Sequence, residues 1–347
     1  MVNDVGSCVL VTGGAGYIGS HTIIELFQSG VETVISIDNY TNSSAKSYER
    51  IETISGKKTI YYQTDLTHFN DLENVFKKHP GITGVIHFAA LKAVGESVEK
   101  PLSYYRNNLV SLLNVLELSA RYGVKSFIFS SSCTVYGEPK AYPVNESTPL
   151  LEPESPYGYT KSVGERIIKD FSLNQSDMKF VLLRYFNPVG AHPSGKIGEL
   201  QEQKPNNLVP FITMTAAGLL PQLTVYGGDY PTRDGTCIRD YIHICDVAEA
   251  HVKALQYSAT DMAGKQIDIF NLGSGKGISV LEAIQTFEKV ADIKLNYIIG
   301  PRRAGDITAI YSDSSKADKI LAWKPKYTLV DMMLSAWKWQ KNLLDHT

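Results

Sequence analysis

The chain has 347 residues, with 34 basic and 36 acidic side chains and a formal net charge of −2 at pH 7. That length suits one large domain plus a smaller one, and burial capacity is no constraint. The balance of charge argues against a sequence-independent nucleic-acid binder, which needs a basic footprint, and no run reaches the ~18 to 20 apolar residues of a membrane span.

In chain order, apolar β-branched runs alternate with helical patterns: strands over 9–11, 33–37, 85–89 and 127–129, helices over 17–28 and 109–121. The alternation predicts βαβ units and a doubly wound parallel sheet with helices on both faces, so its strands read as continuous apolar runs. A further such strand is expected over 180–186. Beyond Asn187 the texture changes to Pro, Gly and Asn with shorter elements, so a smaller α/β lobe is expected over 188–347 after a first domain over 1–187. Residues 267–272 read as another buried strand and 280–291 as a helix, so later segments near 237–272 are expected to return to the first sheet. The strand pattern begins by Cys8, which leaves residues 1–7 no room for a signal or transit peptide, and the expectation is a cytoplasmic protein. Cys8, Cys133, Cys237 and Cys245 form no CxxC pair and no histidine sits in an HExxH pattern, so the thiols read as reduced and no metal site is expected.

The strand over 9–11 runs through Thr12 into Gly13, Gly14, Ala15, Gly16, Tyr17, Ile18 and Gly19, and the following helix carries Ile23, Ile24 and Phe27 on one face. Glycines between strand and helix permit a tight turn and let a pyrophosphate approach backbone N–H groups at the helix N-terminus. A glycine trio alone is weak, and a tight turn without ligand is the competing reading. Here an acid, Asp38, ends the second strand nineteen residues after Gly19, the offset expected for a ribose contact. Together they define a Rossmann dinucleotide site. The Asp38 carboxylate accepts from a ribose 2′-OH and repels a 2′-phosphate, which favours NAD over NADP. Gly273-Ser274-Gly275-Lys276-Gly277 lacks the phosphate-loop spacing and reads as a loop entering a helix capped by Ser279.

Ser155 and Pro156 fit the N-cap and first position of a helix that places Tyr157 and Lys161 four apart on one face. A tyrosine is a poor base at neutral pH, but an adjacent ammonium and an oxidised nicotinamide favour its phenolate. Two ordinary surface residues are the alternative. Ser132 and Thr134 end the strand over 127–129, where parallel sheets bind ligands, so either is a candidate to hydrogen-bond the reacting oxygen; a plain strand-end turn competes. Arg302 and Arg303 form a local cluster able to hold one anionic ligand.

GGAGYIGSH at 13–21, SSSCTVYG at 130–137 and YGYTK at 157–161 resemble the extended branch of the short-chain dehydrogenase/reductase superfamily. HFAALKAVGES at 87–97, LRYFNPVGAHPSG at 183–195 and RDYIH at 239–243 narrow the resemblance to the UDP-galactose 4-epimerase family, and the similarity runs from Val9 to about Trp339. That resemblance implies tightly bound NAD, a UDP-sugar substrate and transient oxidation at the sugar C4 with hydride return to the opposite face. Tyr157 would be the base on the 4-OH, Lys161 would lower its pKa and hold the nicotinamide ribose, and Ser132 or Thr134 would bridge to the substrate hydroxyl. The implied NAD contacts are Gly13, Gly16, Tyr17, Ile18, Gly19, Asp38, Asn39, Asn42, Asp65, Leu66, Phe88, Ala89, Lys92, Asn107, Tyr157, Lys161 and Tyr185. The UDP-sugar would meet Ser132, Cys133, Thr134, Tyr157, Tyr185, Phe186, Asn187, Asn206, Asn207, Leu208, Thr224, Val225, Tyr226, Arg239, Arg303 and Asp306, with Tyr226 near the uracil and Arg239 and Arg303 on the diphosphate. A two-fold homodimer through helices of the first domain is also implied.

Cys133 stands where many relatives carry Ala, and Ile310 where some have Tyr and others a small residue, which leaves breadth toward N-acetylated sugars open. Some relatives continue into a sugar mutarotase domain; this sequence stops at Thr347. A nucleotide-sugar 4,6-dehydratase shares the glycine turn, the Tyr-Lys pair and the hydride step, but it needs an acid pair beside the reactive Thr, and the neighbours of Thr134 are Cys133 and Val135. A Rossmann sensor that reads NAD without turnover would have lost Tyr157 or Lys161.

Overall fold

Val9 and Val11 pack into one apolar cluster and Leu10 between them into another. This is how a strand covered on both faces fills two cores from one uninterrupted apolar run. The computed structural model describes residues 8–175, 177–200, 205, 207–303 and 305–345. Its first half runs β1 (Cys8–Thr12), α1 (Tyr17–Gln28), β2 (Thr33–Asp38), α2 (Lys46–Ser55), β3 (Ile60–Gln63), α3 (Phe69–Lys78), β4 (Gly84–His87), α4 (Val94–Glu99), α5 (Pro101–Arg121), β5 (Ser126–Ser132), α6 (Pro156–Ser172) and β6 (Lys179–Tyr185). The second half runs β7 (Asn187–Val189), α7 (Leu208–Ala216), β8 (Leu223–Tyr226), β9 (Ile238–His243), α8 (Ile244–Ser258), β10 (Ile267–Leu272), β11 (Gly277–Ser279), α9 (Val280–Ala291), β12 (Tyr297–Gly300), α10 (Ser315–Leu321) and α11 (Leu329–Asp345).

Seven strands form a parallel sheet in the order β10-β6-β5-β4-β1-β2-β3. The expected Rossmann class is therefore the observed one. From β1 the chain winds outward to β3, then crosses back to β4 on the other side of β1. That reversal opens a crevice at the carboxyl ends of β1 and β4, where doubly wound sheets bind ligands. β10 pairs in parallel with β6, and α8 buries Val247, Ala250 and Leu255 in the same cluster as Ile24 and Phe27 of α1. The chain between Ile244 and Leu272 thus completes the first sheet after an excursion into the lobe.

The lobe has a three-stranded sheet, β11-β9-β7, and a parallel pair, β12-β8, around a core of Ile284, Phe287, Met332 and Met333. α9 starts with a full capping box: Ser279 accepts from Glu282 N and the Glu282 side chain accepts from Ser279 N. Three boundaries differ from the sequence reading. The helix expected over 109–121 begins at Pro101, because its first two turns expose Leu102 and Arg106 and so carry little apolar periodicity. The strand over 127–129 extends through Ser132, whose polarity hides complete burial. The strand expected over 85–89 stops at His87, since Thr12 takes both following amides, its carbonyl from Phe88 N at 3.1 Å and its Oγ1 from Ala89 N at 3.4 Å. All four cysteines are free thiols, and among the described residues no helix is long and apolar enough to cross a membrane.

Candidate active site

The glycine turn is shaped by close contacts that side chains would block. Gly13 has φ +71°, and a Cβ there would stand 2.8 Å from Ala89 N; a Cβ on Gly19 would stand 2.3 Å from the Gly13 carbonyl. β1, the start of α1 and the chain after β4 therefore meet at van der Waals limits. Gly16 is the N-cap of α1 and no side chain caps that end, so the first turn presents its backbone donors and the positive end of the helix dipole to the crevice. Tyr17 ties the turn to the lobe by donating its hydroxyl to Gly190 O at 2.6 Å, while Ile18 packs into the core. Asp38 ends β2 with its carboxylate accepting from Ala15 N, Tyr40 N and Ser43 Oγ at 3.0, 3.0 and 2.7 Å. Ser43 escapes sequence reasoning, because its partner is defined only by the loop it sits on.

Around this turn, Asp65 accepts from Thr67 N at 2.8 Å and from Thr67 Oγ1 at 2.7 Å. Burial works to raise its pKa, but these donors together with Asn39 hold the carboxyl below its ordinary value. Leu66 is buried, and its carbonyl receives Asn114 Nδ2. Phe88 and Ala89 line the chain leaving β4, and Asn42 is exposed. Asn107 donates to Asn108 Oδ1, and it is Asn108, absent from the sequence reading, that pins Leu91 through both backbone groups and reaches Thr160 Oγ1 at 3.0 Å. Lys92 crosses to the lobe, pairing with Glu199 at 3.0 Å, and Asn207 donates to the same carboxylate oxygen.

α6 begins as its sequence predicts, with Ser155 Oγ accepting from Gly158 N and Pro156 in the first turn. This buries Tyr157 and Lys161 side by side, 8 % and 4 % exposed. Lys161 Nζ donates to Ser130 O at 2.7 Å. Burial lowers the Lys161 ammonium to about 8. The Tyr157 phenol is pushed well above the ordinary tyrosine value, first by burial and then by Tyr185, with the Ser132 hydroxyl acting the other way. Burial, the largest influence on the phenol, opposes the phenolate form that the Lys161 ammonium and an oxidised nicotinamide are together expected to favour. Tyr185 joins the cluster through its hydroxyl, 2.6 Å from Ser130 Oγ. Ser132 Oγ accepts from Thr134 N at 3.2 Å. Among the described residues, two of the expected substrate contacts carry a buried oxygen without a partner, Thr134 Oγ1 and Asn187 Oδ1.

Toward the lobe, Cys133 and Phe186 share a small apolar cluster with Val135, Tyr136, Val144 and Ile310. Arg239, Arg303 and Asp306 converge: Asp306 Oδ1 accepts from Arg303 Nη2 at 2.9 Å and from Arg239 Nη2 at 3.5 Å, and the Arg303 guanidinium lies 5.6 Å from the Tyr226 ring centre. Arg302 parts from Arg303, pairing with Asp229 and covering Tyr230, so the two do not form one anion cluster. Along β8 the Val225 side chain turns into the lobe core, Thr224 and Tyr226 alternate outward, and Leu208 packs at the edge of that core. Asn206 lies outside the described residues. The glycine-rich loop at 273–277 cradles an internal anion: Asp240 accepts from Ser274 N, Ser274 Oγ and Gly275 N, and from Ser312.

An uncapped helix N-terminus behind a glycine turn no Cβ can enter, with a carboxylate at the next strand end, fits a dinucleotide. The unpartnered Thr134 hydroxyl, packed against Gly158 next to the buried Tyr157, fits a hydroxylated substrate. Residues 9–273 match the NAD dependent epimerase/dehydratase family. The chain belongs to that family. It is 48% identical over 334 residues to a UDP-glucose 4-epimerase of Bacillus subtilis, covering 96% of this chain and 97% of that one. It is also 48% identical to one of Drosophila melanogaster over 338 residues, covering 96% of each chain. Among solved structures, UDP-glucose 4-epimerase from Bifidobacterium longum in complex with NAD+ and UDP matches with a TM-score of 0.93 and 48% identity, over 98% of this chain and 100% of that one.

Proposed function

We propose that this chain interconverts UDP-galactose and UDP-glucose by oxidation and reduction at the sugar C4, with NAD as a resident cofactor. NAD supplies the acceptor and donor of one hydride and, while oxidised, a positive charge. The chain's own residues do the rest. The turn from Gly13 to Gly19, the N-terminus of α1 and Asp38 bind the dinucleotide, with Asn39, Asp65, Phe88, Ala89 and Lys92 around it. Lys161, fixed to Ser130 O, holds its ammonium beside Tyr157, and an oxidised cofactor bound there would add positive charge that helps lower the phenol burial has raised. Tyr157 as phenolate then takes the 4-OH proton, directly or through the Ser132 hydroxyl, which gives its own proton to the phenolate as it accepts the substrate's, and Thr134 Oγ1 has a free bond for the same substrate hydroxyl. Arg239 and Arg303 grip the diphosphate, releasing part of their hold on Asp306, so UDP stays anchored while the sugar is free to turn.

The observation that carries this reading over a 4,6-dehydratase is Thr134: its buried Oγ1 has no partner among the described residues, so no carboxylic acid is placed on it for elimination of water. The domain over 1–187, completed by the later return to its sheet, is proposed to hold NAD, and the lobe over 188–347 to hold UDP. We place the enzyme in the cytoplasm as a homodimer. Leu102 and Leu113, about three turns apart on one face of α5, are 74 % and 48 % exposed, which suits helix pairing with a second copy. The test is turnover of UDP-galactose in D₂O followed by mass spectrometry. An unshifted hexose at equilibrium between two C4 isomers is expected; loss of the mass of water, or solvent deuterium on carbon, sinks the assignment.

A further inference from the structure

Behind the reacting groups lies a buried ion pair that no step above uses. Arg184 of β6 and Glu165 of α6 have side chains only 2% and 1% exposed. They meet as a fork, Arg184 Nε donating to Glu165 Oε1 at 2.7 Å and Nη2 to Oε2 at 2.6 Å. Ser131 Oγ donates to the same Oε1 at 2.7 Å. Arg184 Nη1 donates to the Tyr136 hydroxyl at 3.1 Å, which in turn donates to Asn271 Oδ1 at 2.7 Å. Lys169 reaches Glu165 from the surface at 3.6 Å.

A pair of charges taken this far from water is weak as a source of stability, because apolar replacements of similar volume are often neutral or stabilising. Its members instead join the elements that carry Tyr157, Lys161, Ser132 and Thr134. Glu165 follows Tyr157 and Lys161 at four-residue steps on one face of α6. Ser131 lies between Ser130, whose carbonyl holds Lys161, and Ser132. Arg184 precedes Tyr185, whose hydroxyl meets Ser130 Oγ. Tyr136 ends the short turn that carries Thr134. One carboxylate and one guanidinium thus tie α6, the ends of β5 and β6, and that turn to a common point.

We propose that Glu165 and Arg184 are positioning residues for the C4 redox step, fixing the spacing of Tyr157, Lys161 and Ser132. The proposal rests on the Tyr157 reading given above. A small misplacement of reacting groups is enough to slow chemistry ~10²-fold while leaving remote binding contacts intact.

Two variants test it in the NAD-loaded enzyme. Ser131→Ala removes one neutral donor to Glu165, and the double variant Glu165→Gln/Arg184→Met removes both charges together, leaving no lone buried ion. Expected are a fall in kcat of ~10-fold and ~100-fold respectively, KM for UDP-galactose within about 3-fold of the parent, and an alkaline shift in the pH profile of kcat as the ammonium loses its register with the phenol. Parental kcat and pH profile in Ser131→Ala, whatever its Tm, overturn the proposal, and that variant decides alone if the double one does not fold. Tyr157→Phe is run beside them. If it stays active, the reading of the whole site fails; if it is inactive while Ser131→Ala is parental, only the positioning role fails.

Discussion

Lys161 Nζ donates to the Ser130 carbonyl at 2.7 Å and lies 5.9 Å from the centre of the Tyr157 ring. The lysine is tethered to β5, and its proposed influence on the phenol is through space. Burial brings its ammonium down to about 8.

Tyr157→Phe is therefore expected to keep the fold and the bound NAD but lose ~10²- to 10⁴-fold in turnover, the usual span for a general base. Lys161→Met is expected to lose turnover and weaken NAD retention as well. Coupled assays of UDP-glucose formation, with NAD measured after denaturation, separate the two. Near-parental turnover of Tyr157→Phe would remove that residue from the role.

Asp38→Ala is expected to weaken NAD binding and relax discrimination against NADP. It also leaves Ala15 N, Tyr40 N and Ser43 Oγ without their acceptor, so a lower Tm accompanies the change. Titration with both cofactors is the measurement. An unchanged preference would show that the ribose contact lies elsewhere.

Ile310 is 2 % exposed and packs with Cys133 and Phe186. Ile310→Tyr puts a larger ring against this wall and is expected to lower kcat/KM for UDP-N-acetylgalactosamine relative to UDP-galactose by ~10-fold or more, in the range pocket-size discrimination reaches. Equal ratios in parent and variant would place the residue outside the sugar pocket.

Stability is expected to fall on mild acidification. Burial lowers His21 and His87 to about 3 and His243 and His251 to about 4. Each is neutral when folded, whereas the unfolded chain protonates it near ~6.5, so their contribution is complete above that value and is lost as pH falls toward about 4 for His243 and His251 and about 3 for His21 and His87, at up to ~1.4 kcal/mol per pH unit each. Asp246, raised by burial to about 6, works oppositely: the folded state binds its proton between that value and ~3.8, so it offsets one histidine. His79 and His192 are also lowered by burial, and Asp240 and Glu25 raised by it, so the depressed rings outnumber the raised carboxyls and the expected result is a lower urea midpoint at pH 5 than at pH 7.5. Identical midpoints would show these rings to be hydrated.

What the sequence carries by itself is short-range. The strand, glycine turn and helix from Val9 to Gln28, the Ser155-Pro156 start of α6 and the Ser279–Glu282 box can be read directly, because each is set by residues within one turn of one another. The same holds for the parallel sheet, whose buried strands announce themselves as unbroken apolar runs. The serines closing β5 and the exposed first turns of α5 were not legible, since local polarity masks burial in one and a polar face masks a helix in the other.

Only the tertiary structure decides who meets whom. Arg302 and Arg303 are neighbours in sequence, yet one turns to Asp229 and the other to Asp306. Lys92 finds Glu199, Asn108 finds Leu91 and Thr160, and Glu165 finds Arg184 and Ser131, none at a spacing that a helix or strand period would reveal. The reversal of pKa order in the Tyr157-Lys161 pair is of the same kind. Residue type fixes which charges are possible, but their cost is set by how much water the surrounding core removes, and that depends on packing between segments far apart in the chain.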